Sequence, residues 1–155
     1  MGEASTMKRI IETLMQDADD IARNLPDQIS PSPDKAGEKI FIKEFSETNE
    51  RLEILYKGSG MLALKAAQVK VSYPTDGKMD RHGNLNMTTV EASKNSASIL
   101  DGKTMHHIIT YFEGNVSKEA SQVDISKTVN GMEIAGRMID DVIQDWAKDN
   151  ENSLG

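Results

Sequence analysis

The feature that most constrains the fold is one long amphipathic stretch near the end of the chain, residues 121–148. Its apolar residues recur at alternating steps of three and four, the spacing that places side chains on one face of an α-helix. This stripe consists of Ile125, Val129, Met132, Gly136, Ile139, Ile143 and Trp146. Because an isolated helix is only marginally stable in water, the rest of the chain has to provide a surface that buries the stripe.

The size and composition indicate one globular domain. A chain of 155 residues with 37% hydrophobic content is long enough to bury its own core. It contains no apolar run of membrane-spanning length and no visible signal peptide, so we expect a cytoplasmic protein that does not contact a membrane. The chain has no cysteine, which excludes a disulfide framework, a thiol nucleophile and a cysteine-based metal site.

The net charge of −7 is concentrated in the two ends of the chain. Residues 1–38 carry eight acids and four bases, and residues 120–155 carry seven acids and three bases, whereas residues 39–119 carry ten acids and eleven bases. This distribution disfavours attraction to nucleic-acid phosphates and favours attraction to a basic protein surface. Two solvated helix faces would produce the same pattern, and such faces are common.

The amino-terminal segment predicts a first helix. Its apolar residues from Met7 to Leu25 repeat at helical spacing, and Pro26 ends the helix because proline has no N–H to donate. The predicted domain organisation has three parts. They are a leader or cloning remnant (1–6), a single domain (7–149) that includes a flexible proline-rich connector (26–38), and a disordered tail (150–155).

Two segments after the connector predict a β-hairpin. Residues 39–45 and 51–57 are rich in β-branched and aromatic residues, with a polar loop between them. The second strand alternates cleanly, and its predicted buried residues are Leu52, Ile54 and Tyr56. The first strand has its apolar residues on both faces, with Ile40 and Ile42 assigned to the buried side and Phe41 and Phe45 to the other. We therefore expect the outer face of this strand to be partly covered.

The remaining middle segments extend the sheet. Residues 61–73 read as a third strand if a bulge near Ala67 restores their alternation, although a helical turn competes over 61–67. Residues 88–100 fit either a serine-rich helix or a strand. The Asp101–Gly102 pair favours the strand, because it predicts a two-residue hairpin turn.

These patterns together predict an α+β fold. It has an N-terminal helix, a mostly antiparallel sheet of about five or six strands, and a long C-terminal helix packed on the sheet.

Motifs for catalysis and metal binding are weak. His106 and His107 are adjacent, so on a strand they would project to opposite faces and could not hold one metal ion. Asp76, Asp80 and Asn84 are spaced by four, whereas the early ligands of a calcium loop are spaced by two. We expect no metal, no cofactor and no catalytic residue, and the balance favours a protein that is not an enzyme.

The leading hypothesis is a non-enzymatic protein-binding module. It would act as an inhibitor, immunity protein or adaptor on a protein partner, or would self-associate as a homodimer. This hypothesis rests on apolar residues outside the helical stripe, on acids beside them and on the aromatic residues of the first strand. The predicted contact residues are Ile134, Met138, Asp141, Asp145, Phe41 and Phe45.

Two alternatives remain open. The first is a small-molecule binding protein or enzyme with a pocket between the sheet and the terminal helix, lined by His107, Tyr111 and Trp146. The second is a nucleic-acid-binding sheet that uses Lys65, Lys70 and Arg81, although the acidic ends disfavour binding to phosphates.

Overall fold

Two helices lie on one face of an antiparallel sheet in the computed structural model of the chain. The structure describes the backbone of residues 3–33, 35–58, 64–94, 96–101, 107–112, 115–116 and 122–154. It describes the side chains of residues 7–33, 35–58, 64–94, 96–100 and 125–149. The predicted α+β architecture is confirmed.

The described strands follow one another as a simple meander. The helices are α1 (Glu3–Asn24) and α2 (Gln122–Leu154), and a short 3-10 helix (Pro26–Gln28) follows α1. The strands are β1 (Ser30–Pro31), β2 (Glu38–Phe45), β3 (Glu50–Lys57), β4 (Lys65–Met79), β5 (Leu85–Ser93), β6 (Ser96–Asp101), β7 (His107–Phe112) and β8 (Asn115–Val116). Each strand pairs antiparallel with the next, so their order in the sheet equals their order in the chain.

The core lies between the helices and the inner face of the sheet. On this face β3 contributes Leu52, Ile54 and Tyr56, all fully buried as predicted. The neighbouring strands continue the layer with Val69, Val71, Val90, Ala92, Ala97 and Ile99. The apolar stripe predicted for α1 is confirmed as well. Most of its residues are buried, and Ile10 and Met15 are half-buried and pack against the core.

Two polar contacts fix α1 to the sheet. The Tyr56 hydroxyl donates a hydrogen bond to the backbone carbonyl of Ala18 across 2.5 Å, and the Ala66 amide donates one to Asp19 Oδ1 across 2.7 Å. The second contact ties α1 to the start of β4. Both contacts satisfy polar groups that would otherwise lie unpaired at the edge of the core.

The bulge predicted near Ala67 is present. Leu55 pairs with Gln68 and Tyr56 with Ala66, so Ala67 is the extra residue on β4. The insertion brings Val69 and Val71 onto the buried face, as the alternation required. Residues 65–67 are therefore strand, and the helical alternative there is wrong.

The prediction of which β2 residues face the core is wrong. Phe41 is 1% exposed and Ile42 is 44% exposed, the reverse of the expectation. The reason is the register of the hairpin, which places Phe41 opposite the buried Ile54. Directly opposed residues of an antiparallel pair project to the same face, so Phe41 joins the core.

Residues 88–93 belong to β5 and residues 96–100 to β6, so the strand alternative favoured for this stretch is confirmed. The predicted tight turn at Asp101–Gly102 falls partly on Gly102, which lies outside the described residues. Among the described residues, Ile99 of β6 pairs with His107 of β7.

The connector and the tail contain more regular structure than expected. Ile29 is 8% exposed, and Ser30 and Pro31 pair with β2 as a short edge strand. This burial anchors the middle of the connector to the sheet. Helix α2 continues to Leu154, into the segment expected to be a disordered tail.

The buried face of α2 is rotated from the predicted stripe by about 60° around the helix axis. Its buried residues are Ile125, Thr128, Gly131, Met132, Ala135, Met138, Ile139 and Val142. The expectation that Met138 points away from the core is therefore wrong, since that residue is 1% exposed. The rotation also turns Gly136 away from the sheet.

Candidate functional site

A groove of about 550 Å³ runs between α1 and α2 on the side of the helices away from the sheet. Its floor is apolar and its rims are polar and exposed. The lining residues are Arg9, Ile10, Thr13, Leu14 and Asp17 of α1, with Met132, Glu133, Gly136, Arg137, Asp140, Asp141 and Gln144 of α2. From Met132 to Gln144 the groove spans about 18 Å along α2, at the helical rise of 1.5 Å per residue.

Gly136 leaves the floor of the groove open. An ideal Cβ built on this residue has no neighbouring heavy atom within 4 Å. Glycine in a helix interior is less favourable than alanine by about 1 kcal/mol, and here no packing contact requires it. The position therefore provides empty space in which an outside side chain can pack.

The charges of the groove are unbalanced. Four acids and two bases line it, and one of the bases, Arg137, forms an ion pair with Glu50 of β3 at 2.7 Å. Within the described residues no base forms an ion pair with Asp17, Asp140 or Asp141. The groove is thus an apolar cleft with an excess of negative charge.

The pKa of Asp17 reflects this excess of negative charge. Partial burial raises the pKa of its carboxyl above the ordinary value of 3.8, and the negative charges of Asp140 and Asp20 raise it further. A nearby positive charge would oppose both effects. The ionised form of Asp17 is therefore destabilised in the isolated chain.

The two helices together carry almost all of the net charge. Helix α1 holds five acids and three bases, and α2 holds seven acids and three bases, which gives −6 of the total −7. The acidic ends noted in the sequence are therefore neighbours in space and form one layer.

The outer face of the sheet has a different character, because its charges are paired with one another. Lys70 of β4 lies between Glu53 of β3 at 3.6 Å and Glu91 of β5 at 3.8 Å. Arg51 pairs with Glu44 at 2.6 Å and with Glu53 at 2.7 Å. Such a ladder of compensated charges is typical of a solvated sheet face.

A second cavity, of about 310 Å³, lies on this outer face next to β1. Its carboxylates already have partners, since Glu38 lies 3.5 Å from Lys57 and Gln68 donates a hydrogen bond to Glu91 across 3.0 Å. The cavity therefore offers less unsatisfied charge than the groove between the helices.

The predicted partner-contact residues are separated by the structure. Met138 and Phe41 are each 1% exposed, so neither is available to a partner of the folded chain. Asp141 lines the groove, while Asp145 is exposed on α2 outside its lining. The other two residues, Ile134 and Phe45, are half-buried and pack against the core. A binding role for the four accessible residues stays a prediction.

The residues of the predicted ligand pocket are only partly described. His107 pairs with Ile99 and Tyr111 with Val116 in the sheet, and the side chains of His107 and Tyr111 lie outside the described residues. Trp146 is half-buried and packs against the core. A ligand site formed by His107, Tyr111 and Trp146 stays a prediction.

The basic residues proposed for nucleic-acid binding do not form a patch. Lys65 lies at one end of β4 and Arg81 in the loop beyond the other end, while Lys70 between them is held by Glu53 and Glu91. Phosphate contacts need several bases that share one surface. The arrangement gives no support to that alternative.

Two further properties concern the described residues alone. No group of three or more histidine, aspartate or glutamate side chains among them is placed to hold a metal ion. None of the described helices has the length and apolarity that crossing a bilayer requires.

Comparisons with protein-family models, with curated proteins and with solved structures found no match to this chain.

The groove was not predicted from the sequence, although the charge pattern that marks it was visible there. The four acids that line it come from the two acidic ends, which the charge distribution had identified. What the sequence did not reveal is that α1 and α2 lie side by side. Gly136 was assigned to the buried stripe, so its position on the open side of α2 could not be anticipated.

Proposed function

We propose that this chain is a non-enzymatic protein-binding module that docks a protein partner on its helical layer. The groove between α1 and α2 carries the proposal, because it combines an apolar floor with unpaired negative charge. Protein interfaces need both features, one for burial and one for specificity. A protein that acts by binding alone can serve as an inhibitor, an immunity protein or an adaptor. The lack of cysteine agrees with the cytoplasmic location that we propose for it.

The contrast between the two faces of the molecule supports the choice of the helical layer. On the outer sheet face, Arg51 and Lys70 neutralise the acids beside them, so a charged partner gains little there. In the groove, Asp17 and Asp140 repel each other. A basic partner would remove that repulsion and would gain attraction to both groups.

The test is affinity purification from the source organism with four variants of the chain as bait. Gly136→Leu fills the groove, and Gly136→Ala is its matched control. Asp140→Lys reverses a groove charge, and Asp27→Lys makes the same change in net charge at an exposed site outside the groove. Circular dichroism of each purified bait confirms that it is folded.

The proposal expects a partner that the wild type and both controls retain and that both groove variants lose. A partner retained equally by all five proteins would show that another surface binds it. If the wild-type chain retains no partner at all and is a strict monomer by light scattering, the protein-binding function itself is wrong.

A further inference from the structure

We propose that the groove between α1 and α2 binds a cationic amphipathic helix of the partner, with apolar side chains over Gly136 and basic side chains against Asp17, Asp140 and Asp141. This inference rests on the proposed function and specifies the chemistry of the partner.

The backbone chemistry of the groove selects a helix over an extended segment. Its two walls are helices, whose interior N–H and C=O groups already bond to one another. An extended peptide would therefore find no backbone groups to pair with. Its own N–H and C=O groups would have no backbone partner in the groove. A guest helix satisfies its backbone internally and needs only a surface for its side chains.

The dimensions of the groove suit that guest. Its length of about 18 Å accommodates about three turns of helix, at 5.4 Å per turn. The open position at Gly136 lies within this length and admits an apolar side chain of the guest between α1 and α2. The residues beneath it are apolar, with Leu14 at 2% and Met132 at 1% exposure.

The charge of the groove selects a basic guest. The negative charge of Asp140 already raises the pKa of the Asp17 carboxyl, and Asp141 adds a third carboxylate to the same lining. Arg9 is the one base of the lining that forms no ion pair within the described residues, since Arg137 is held by Glu50. Lysine or arginine side chains of a guest helix would complete the compensation.

The same charge argues against a second copy of this chain as the occupant. Two helical layers of −6 each would face one another in such a dimer, and like charges disfavour the encounter as well as the contact. Self-association of the kind considered from the sequence would have to use another surface.

The experiment is isothermal titration calorimetry of the full chain with three synthetic peptides of about 18 residues. The first contains leucine and lysine arranged with one apolar helical face. The second has the same composition in scrambled order, and the third replaces every lysine of the first with glutamate. The protein variants are Gly136→Leu with its control Gly136→Ala, and Asp140→Lys with its control Asp27→Lys.

The expected result is that the patterned lysine peptide binds, the scrambled peptide binds at least about tenfold more weakly, and the glutamate peptide does not bind. Gly136→Leu and Asp140→Lys each weaken the first peptide by about tenfold or more, Gly136→Ala weakens it less than Gly136→Leu does, and Asp27→Lys leaves its affinity unchanged. Affinity falls as salt is added, because the attraction is partly Coulombic.

Equal binding of the patterned and scrambled peptides would overturn the inference, because charge alone would then explain the attraction. Insensitivity of the patterned peptide to Gly136→Leu and Asp140→Lys would overturn it as well. These failures are distinct from failure of the proposed function. A natural partner that still depends on Gly136 and Asp140 would leave the protein-binding function standing while the cationic helix is rejected.

Discussion

A Cβ added to Gly131 would lie 2.9 Å from the Cβ of Val90 on β5, closer than real Cβ contacts occur. Helix α2 therefore approaches the sheet as closely as the missing side chain at Gly131 allows. Gly136, five residues later, has no heavy atom within 4 Å of the same ideal position. The two glycines thus mark opposite sides of α2, one against the sheet and one toward the groove.

These two positions predict opposite effects of the same substitution. Gly131→Ala forces α2 away from Val90, and we expect it to lower the free energy of unfolding by about 1–3 kcal/mol. Gly136→Ala improves helix propensity without a clash, and we expect a gain of up to about 1 kcal/mol. Urea unfolding followed by circular dichroism measures both. Equal gains from the two substitutions would show that α2 does not pack through Gly131.

The hydrogen bond from Tyr56 to Ala18 predicts a measurable contribution to stability. Tyr56→Phe removes the hydroxyl from a buried ring and should lower the free energy of unfolding by about 1 kcal/mol. The control is Met79→Ala, at a side chain that is 68% exposed, with an expected change within about 0.5 kcal/mol. Urea denaturation of both variants provides the comparison, and an unchanged midpoint for Tyr56→Phe would contradict the predicted role.

The raised pKa of Asp17 predicts that part of the free energy of unfolding depends on pH. Its folded pKa is raised, so the folded state binds this proton more tightly than the unfolded chain does. The stability contributed by the protonated form is fully present below pH 3.8 and is lost as pH rises through the folded pKa. At neutral pH, Asp17→Asn should therefore be more stable than the wild type.

The advantage of Asp17→Asn should shrink as the pH falls through the raised folded pKa of Asp17, and it should be lost below pH 3.8. Unfolding curves of both proteins measured across this pH range test the prediction. Both proteins share the other charged groups around the groove, which are Arg9 and Asp20 of α1 and Glu133, Arg137, Asp140 and Asp141 of α2. An Asp17→Asn protein that is less stable than the wild type at neutral pH would show that this carboxylate is stabilised by a partner.

We expect aspartate substitutions at two residues of α2 to differ in their effect on stability, although the sequence assigned both residues the same role. Ile134 and Met138 were both predicted from the sequence as partner-contact residues outside the apolar stripe. Because Met138 is 1% exposed, a carboxylate there should lower the free energy of unfolding by about 3 kcal/mol or more. Ile134 is half-buried, so its substitution should cost less. Thermal unfolding of both variants tests the order, and a Met138→Asp protein of wild-type stability would contradict it.

The architecture was predictable from the sequence because local patterns specify it. Proline at position 26 ended the first helix, and the clean alternation of Leu52, Ile54 and Tyr56 identified β3 and its buried face. The out-of-phase alternation after Leu64 located the bulge at Ala67, which the register of β4 confirms. Each of these features depends on neighbours in the chain, so periodicity alone revealed it.

The orientations that failed depend on partners far away in the chain. Phe41 and Ile42 are both apolar, so only the pairing with Ile54 decides which of the two is buried. Helix α2 likewise has apolar residues around more than half of its circumference. The position of its buried face is set by the close approach of Gly131 to Val90 on β5. Because Val90 lies outside α2, the sequence of the helix alone could not reveal this contact. The groove follows from that rotation and was missed for the same reason.

The central claim is that partners bind the helical layer and not the outer face of the sheet. Nuclear magnetic resonance mapping of backbone amides, during titration with the patterned leucine–lysine peptide, tests it most directly. The account predicts that the shift changes concentrate between Arg9 and Asp17 of α1 and between Met132 and Gln144 of α2. Changes concentrated on the outer face, around Glu53, Lys70 and Glu91, would contradict it.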